Sequence, residues 1–253
     1  MITIKNKFAI EKMYTAGQHL ANLFDQIETL IKPGVSTLFL DDYIEVFLKA
    51  KGMISETKGY AGYKHVSCIS INDELVHGIP AAHKILKEGD LVKVDICASF
   101  KGYCADMARP FIVTLDHTGL LTEMIEVSKL SLDAGISNAI VGNRLYDISA
   151  AIGATLQRHG YGIVRDFVGH GIGRSMHEEP DVPNYGTAGT GPKLVAGMAF
   201  AIEPMFTEKG YAVFVDSDKW TVKTKDKGIA MHREDTVVIT QGQPLIITRH
   251  CSL

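Results

Sequence analysis

The sequence predicts an α+β fold in which two helix pairs cover one face of an antiparallel sheet. Apolar residues recur at three- and four-residue steps in four separate stretches, and short apolar runs rich in β-branched residues lie between them. Sliding the chain against itself by 108 residues also sets Gly34 on Gly142, Leu40 on Ile148, Ile44 on Ile152, Leu48 on Leu156 and Gly52 on Gly160. Two similar halves follow, roughly 4–115 and 116–250, with a cleft expected where they meet.

The first helix is predicted from Phe8. Ile10, Met13, Leu20, Leu23, Phe24, Ile27, Leu30 and Ile31 form its apolar stripe until Lys32-Pro33-Gly34 stops it. A second runs through Leu40, Ile44, Phe47 and Leu48 and ends at Gly52. Ser67–Ile71 and Leu91–Cys97 then read as strands. Helical spacing returns from Leu120 to Ala139 and at Leu145, Ile148, Ile152 and Leu156, closing at Gly160. Strands are predicted around Ala199–Ile202, Trp220–Val222 and Thr236–Thr240. No linker or low-complexity tract interrupts the scheme, so one domain over 1–253 is expected.

Composition narrows the function classes. With 253 residues, 46% of them hydrophobic, the chain can bury a sizeable core without disulfides. A net charge of -3, from 26 basic and 29 acidic residues interspersed, leaves no basic stripe for nucleic acid. Cys68, Cys97, Cys104 and Cys251 form no CxxC pair, which points to buried thiols in a reducing compartment. Lys5, Lys7, Glu11 and Lys12 break the N-terminal apolar residues, and no run approaches the roughly 18 apolar residues of a membrane span. A cytoplasmic enzyme or binding protein is the expectation.

Asp95 lies in LVKVDICASF and Asp106 in GYCADMARPF, and a reversal centred on Phe100-Lys101 is predicted to set the two carboxylates directly across from each other. Like charges facing across a ladder destabilise it unless a cation lies between them. GHGIGRSMHEEP places His170 and His177 seven residues apart among glycines that permit close backbone approach. It lacks the spacing of a dinucleotide fingerprint or a phosphate loop. Glu203 ends the apolar run Met198–Ile202 just before Pro204, and Glu234 precedes Thr236-Val-Val-Ile-Thr. Any one of these is more often a solvated boundary residue than a ligand. Together, four carboxylates and one imidazole suit two divalent ions, whose charge of about +4 removes the repulsion. Two such ions about 3.5–4 Å apart can share a water, lower its pKa and stabilise the oxyanion formed when it attacks a carbonyl, so hydrolysis is implied.

The strings CISINDELVHGIP, VDICASFKGYCADMARPF, GHGIGRSMHEEP, FAIEPMF and WTVKTKD, in this order, resemble the bacterial-type (type I) methionine aminopeptidases from about Ile4 to Thr248. The resemblance implies the pita-bread fold with its pseudo-twofold halves. By position it implies that Asp95 binds one metal, that Asp106 and Glu234 bridge both, and that His170 with Glu203 holds the other. It gives His177 to the substrate carbonyl and His77 to the scissile peptide, with Glu203 as proton shuttle. Tyr60, Tyr63, Cys68, Met176 and Trp220, with His77 and His177, would line the methionine pocket, where aromatic edges and sulfur suit a thioether. The metals would be Mn, Co, Fe(II) or Zn, the substrates N-terminal methionyl peptides and nascent chains with a small second residue, the ribosome a partner, and the molecule a monomer.

The pattern departs from that family in three places. Its usual Ala-Gln-aromatic-Glu-His-Thr string is Met231-His-Arg-Glu-Asp-Thr here, Met176 stands where an aromatic is common, and Ala61 replaces a histidine. Arg233-Glu234-Asp235 and the stretch around Asp106 lean toward proline-specific aminopeptidases or dipeptidases of the same fold, the alternative reading. Those enzymes usually carry an additional N-terminal domain, whereas about 55 residues precede the pocket segment here. A non-enzymatic binding module of this fold is the third reading, and the five filled ligand positions weigh against it.

Overall fold

The computed structural model describes residues 1–250, so Cys251 lies outside the described residues. In chain order, helices α1 (Lys7–Leu30) and α2 (Thr37–Ala50) precede strands β1 (Met53–Ser55), β2 (Cys68–Ile71), β3 (Leu91–Phe100) and β4 (Tyr103–Ile112). Helices α3 (Leu120–Ser137) and α4 (Leu145–Arg158) precede β5 (Gly162–Ile163), β6 (Gly169–Gly171), β7 (Glu178–Val182), β8 (Ala199–Ile202) and β9 (Met205–Thr207). The chain continues through β10 (Val213–Val215), β11 (Val222–Thr224), β12 (Ala230–His232), β13 (Glu234–Val238) and β14 (Leu245–Ile246).

Each predicted helix forms, and its ends have local causes. The side chains of Asn6 and Ser36 accept the Ala9 and Phe39 N–H groups and cap α1 and α2. Gly52 and Gly160, just past α2 and α4, have φ of 64° and 78°, the left-handed turn that stops a helix. Helices α2 and α4 are both 14 residues long and are displaced by 108 residues, the offset of the sequence repeat.

The main sheet runs β1-β3-β4-β13-β8-β6-β7, with β2 on β3 and β14 on β13. All its pairings are antiparallel. Strand alternation sorts its two faces. Val92, Val94, Ile96 and Ala98 of β3 and Ala105 and Met107 of β4 pack with α1 and α2 in one core. Phe200 and Ile202 of β8 and Val237 of β13 pack with α3 and α4 in a second. The opposite face is left to Asp95, Asp106, Glu234 and Ala201, the last paired with His170.

Two predicted details differ. The β3–β4 turn is Lys101-Gly102, with φ of 51° and 77°, so Asp95 pairs with Ala108 and Asp106 with Cys97. The aspartates are therefore diagonal neighbours on one face rather than directly opposed. A primed two-residue turn matches the strand twist, and Gly102 takes its second position. Strand β11 begins at Val222, because the Asp218 carboxylate accepts the Trp220 and Thr221 N–H groups and holds them in a turn. Among the described residues, no helix is long and apolar enough to cross a membrane. Cys68, Cys97 and Cys104 are free and buried.

Candidate metal centre

A row crosses the sheet from Cys68 through Asp95 and Ala108 to Glu234. Asp235 pairs with Ile202 and His232 with Met205, one register carried across Arg233 and Pro204, which sets Glu234 opposite Glu203. His170 arrives from β6, where a bulge between His170 and Gly171 turns the strand. Gly171 is required there, since a Cβ would meet the Glu179 carbonyl oxygen at 2.2 Å. His170 Nδ1 donates to the Gly171 carbonyl at 2.9 Å, leaving the Nε2 lone pair toward the carboxylates. That Nε2 is 3.5 Å from Glu203 Oε1 and 3.8 Å from Asp106 Oδ2. One oxygen each from Asp106 and Glu234 and a His170 nitrogen lie within 4.8 Å of one another, as do donor atoms of Glu203, His232 and Glu234.

The electrostatics show what this cluster lacks. Burial, reinforced by the neighbouring carboxylates, pushes Asp95, Glu203 and Glu234 well above the usual carboxylate range. Burial also raises Asp106 to about 6, against the pull of Cys97 and His232. His170 is pushed down to about 4, first by burial and then by His177, so it stays neutral near pH 7. Asp106 Oδ1 and Glu234 Oε1 are buried with no hydrogen-bond partner among the described residues. Orphaned carboxylate oxygens around a common centre, with a neutral imidazole aimed at them, fit divalent cations.

One cavity of about 550 Å³ touches every metal-ligand, catalytic and pocket residue that the sequence resemblance implies. Its floor is Asp95, Asp106, His170, Glu203 and Glu234, and its walls include His77, His177, Tyr60, Tyr63, Cys68, Met176 and Trp220. Tyr63 is buried, donates to the Ser67 carbonyl at 3.0 Å, and meets Trp220 edge-on at 4.9 Å between ring centroids. Tyr60 is 50% exposed at the mouth, its hydroxyl 3.4 Å from His177 Nδ1. The His170 and His177 rings are perpendicular at 4.5 Å. His77 sits at φ 58°, a left-handed conformation that costs a residue with a Cβ, and stacks edge-on with Phe167.

Sequence reasoning assigns no role to three contributors. Asp235, fully buried behind Glu234, binds Arg109, accepts from Thr248 at 2.7 Å, and accepts from Arg249 Nε at 2.7 Å. Burial pushes that carboxyl up, yet Arg109 and Arg249 hold it below the usual range. Arg109 also donates to the Glu234 carbonyl, so the Arg-Glu-Asp departure becomes a brace for Glu234. Lys93, 1% exposed, donates to the carbonyls of Asn72 and Ala230 and ties β3 to β12. His232 is 2% exposed and lines the cavity beside Glu203. Its sequence signals are the departure from the usual family string at this position and strand alternation, which puts it on the same face as Glu234.

The family model for metallopeptidase family M24 matches residues 11–241. A methionine aminopeptidase of Clostridium acetobutylicum is 46% identical over 248 residues, covering 98% of this chain and 99% of that protein. The crystal structure of a methionine aminopeptidase from Thermotoga maritima superposes with a TM-score of 0.96 at 39% identity, covering 99% of this chain and 100% of that one. A Xaa-Pro dipeptidase from Bacillus anthracis shares the fold, with a TM-score of 0.77 at 24% identity, but this chain spans only 63% of it.

Proposed function

The chain belongs to metallopeptidase family M24, and from that membership we propose that it is a divalent-metal aminopeptidase that removes N-terminal methionine from peptides and nascent proteins. The observation that carries the reading is the end-to-end match to a methionine aminopeptidase, 46% identical over 98% of one chain and 99% of the other. The alternative, a proline-specific peptidase, is supported by fold likeness at lower identity and over part of a longer chain.

In this reading Asp95, Asp106, His170, Glu203 and Glu234 hold two divalent ions, of Mn, Co, Fe(II) or Zn. When bound, the ions acidify a water and stabilise negative charge on the attacked carbonyl. The protein's own groups do the rest. Glu203, beside His170 in the cluster, takes a proton from the attacking water and returns it to the leaving amine. His177 is exposed at the mouth beside Tyr60, its pKa lowered from the ordinary imidazole value by partial desolvation, and it steadies the scissile carbonyl. His77, pushed down to about 4 chiefly by burial, contacts the scissile peptide as a neutral imidazole. Tyr60, Tyr63, Cys68, Met176 and Trp220 enclose the methionine thioether. The chain acts as a single catalytic domain over 1–253, as a cytoplasmic monomer that meets its substrates as they leave the ribosome.

Purified protein loaded with Co(II) or Mn(II) is expected to release methionine from Met-Ala-Ser and to leave Ala-Pro-Ala intact. Cleavage of Ala-Pro-Ala alone would establish the proline-specific reading instead.

A further inference from the structure

Strand alternation puts His232 and Glu234 on one face, and the register that opposes Glu203 to Glu234 makes His232 the diagonal neighbour of Glu203. Glu203 lies between two imidazoles. His170 Nε2 is 3.5 Å from its Oε1, and His232 Nε2 is 3.2 Å from its Oε2 and 3.8 Å from Glu234 Oε2. His232 is 2% exposed, and its Nε2 has no hydrogen-bond partner among the described residues, because the nearby carboxylates lie off the line a hydrogen bond needs. A protonated Nε2 in this place wastes its N–H, and an unprotonated one turns a lone pair onto carboxylate oxygens. Either arrangement is unfavourable in a buried site, and a cation between these three groups relieves both.

We propose that His232 is a metal ligand, a second imidazole donor to the ion held by Glu203 and Glu234. The inference rests on the metallopeptidase reading only for the presence of the ions. Its consequence is selectivity: carboxylate-rich sites suit Mn(II), and each added imidazole moves the preference toward Co(II) and Zn(II). The position is also where this chain departs from the usual string of its family, which places Gln before the aromatic residue and the glutamate.

Proton NMR of the Co(II)-loaded protein tests the assignment, since a metal-bound imidazole carries a hyperfine-shifted, solvent-exchangeable N–H. Two such resonances are expected in the wild type, from His170 and His232, and one in His232→Gln. Competition titration should show Co(II) bound about 10- to 100-fold more weakly by His232→Gln, with a smaller loss for Mn(II). A single resonance in the wild type, or a variant that keeps both resonances and its Co(II) affinity, overturns the proposal. The wild-type spectrum decides it even where the variant does not fold. Two imidazole resonances in a protein inert toward Met-Ala-Ser would sink the aminopeptidase reading and leave His232 a ligand.

Discussion

Glu203 is asked to do two things, hold a cation and carry a proton, and an amide can do neither well. Glu203→Gln keeps the volume and removes the charge, so kcat on Met-Ala-Ser should fall by about 10²–10⁴-fold. The apoprotein's circular dichroism should be unchanged, and wild-type turnover in the variant would remove Glu203 from the chemistry. At this scale the sequence was informative where a residue sat in a long spaced string, as Asp95, Asp106 and His170 do. His232 was hidden in a run, His-Arg-Glu-Asp, that reads as a charged boundary. Only the pairing of Met205 with His232 shows that it turns inward while Arg233 reaches Ser128 on the other side. Asp235 was equally opaque, because its partners Arg109 and Arg249 are remote in sequence and converge only in the fold.

The four helices were legible because amphipathic spacing is a local signal and their ends carry their own punctuation. Most of the short strands from β5 to β12 were not. Except for the five-residue β7, whose EEPDV is too polar to read as a strand, their two or three residues are too few to show alternation, and they are held by contacts distant in sequence. The Asp226 carboxylate, for example, accepts the Gly210 and Gly228 N–H groups and ties the approaches to β10 and β12 together. The β3–β4 register was missed by a shift of the turn, and the carboxylate proximity survived because a two-residue offset preserves the face. Strand β6 makes the sharpest demand on a single residue. Gly171→Ala would press a methyl into the Glu179 backbone at 2.2 Å and force β6 from β7. A loss of about 1–3 kcal/mol in urea denaturation is expected, with weaker Co(II) binding because His170 is displaced. Unchanged stability and metal affinity would show that the bulge does not position His170.

Over the whole molecule, two helix-backed cores hold a sheet face on which four carboxylates and two imidazoles crowd, so stability and metal occupancy are linked. In the metal-free protein the buried histidines His77, His170 and His232, pushed down to about 4, add stability as pH rises to their unfolded value of about 6.5. Asp95, Glu203 and Glu234 act oppositely: raised in the fold, they favour it while protonated and lose that contribution as pH rises toward their folded values. Between the ordinary carboxylate range and about 6.5 the two sets offset each other, and the histidine contribution is complete above that. Scanning calorimetry should therefore show the Tm of chelator-treated protein falling further below that of metal-loaded protein as pH rises from about 5 to about 8, because the ligands must lose their protons to bind the ions. Parallel Tm curves would show that the cluster is not held together by cations. The most direct measurement of the central claim is release of free methionine from Met-Ala-Ser by protein stripped of metal and then reloaded anaerobically with Mn(II), Co(II), Fe(II) or Zn(II). The stripped protein is expected to release none, and at least one ion is expected to restore release. Full activity without metal, or none with any of the four, would contradict the claim.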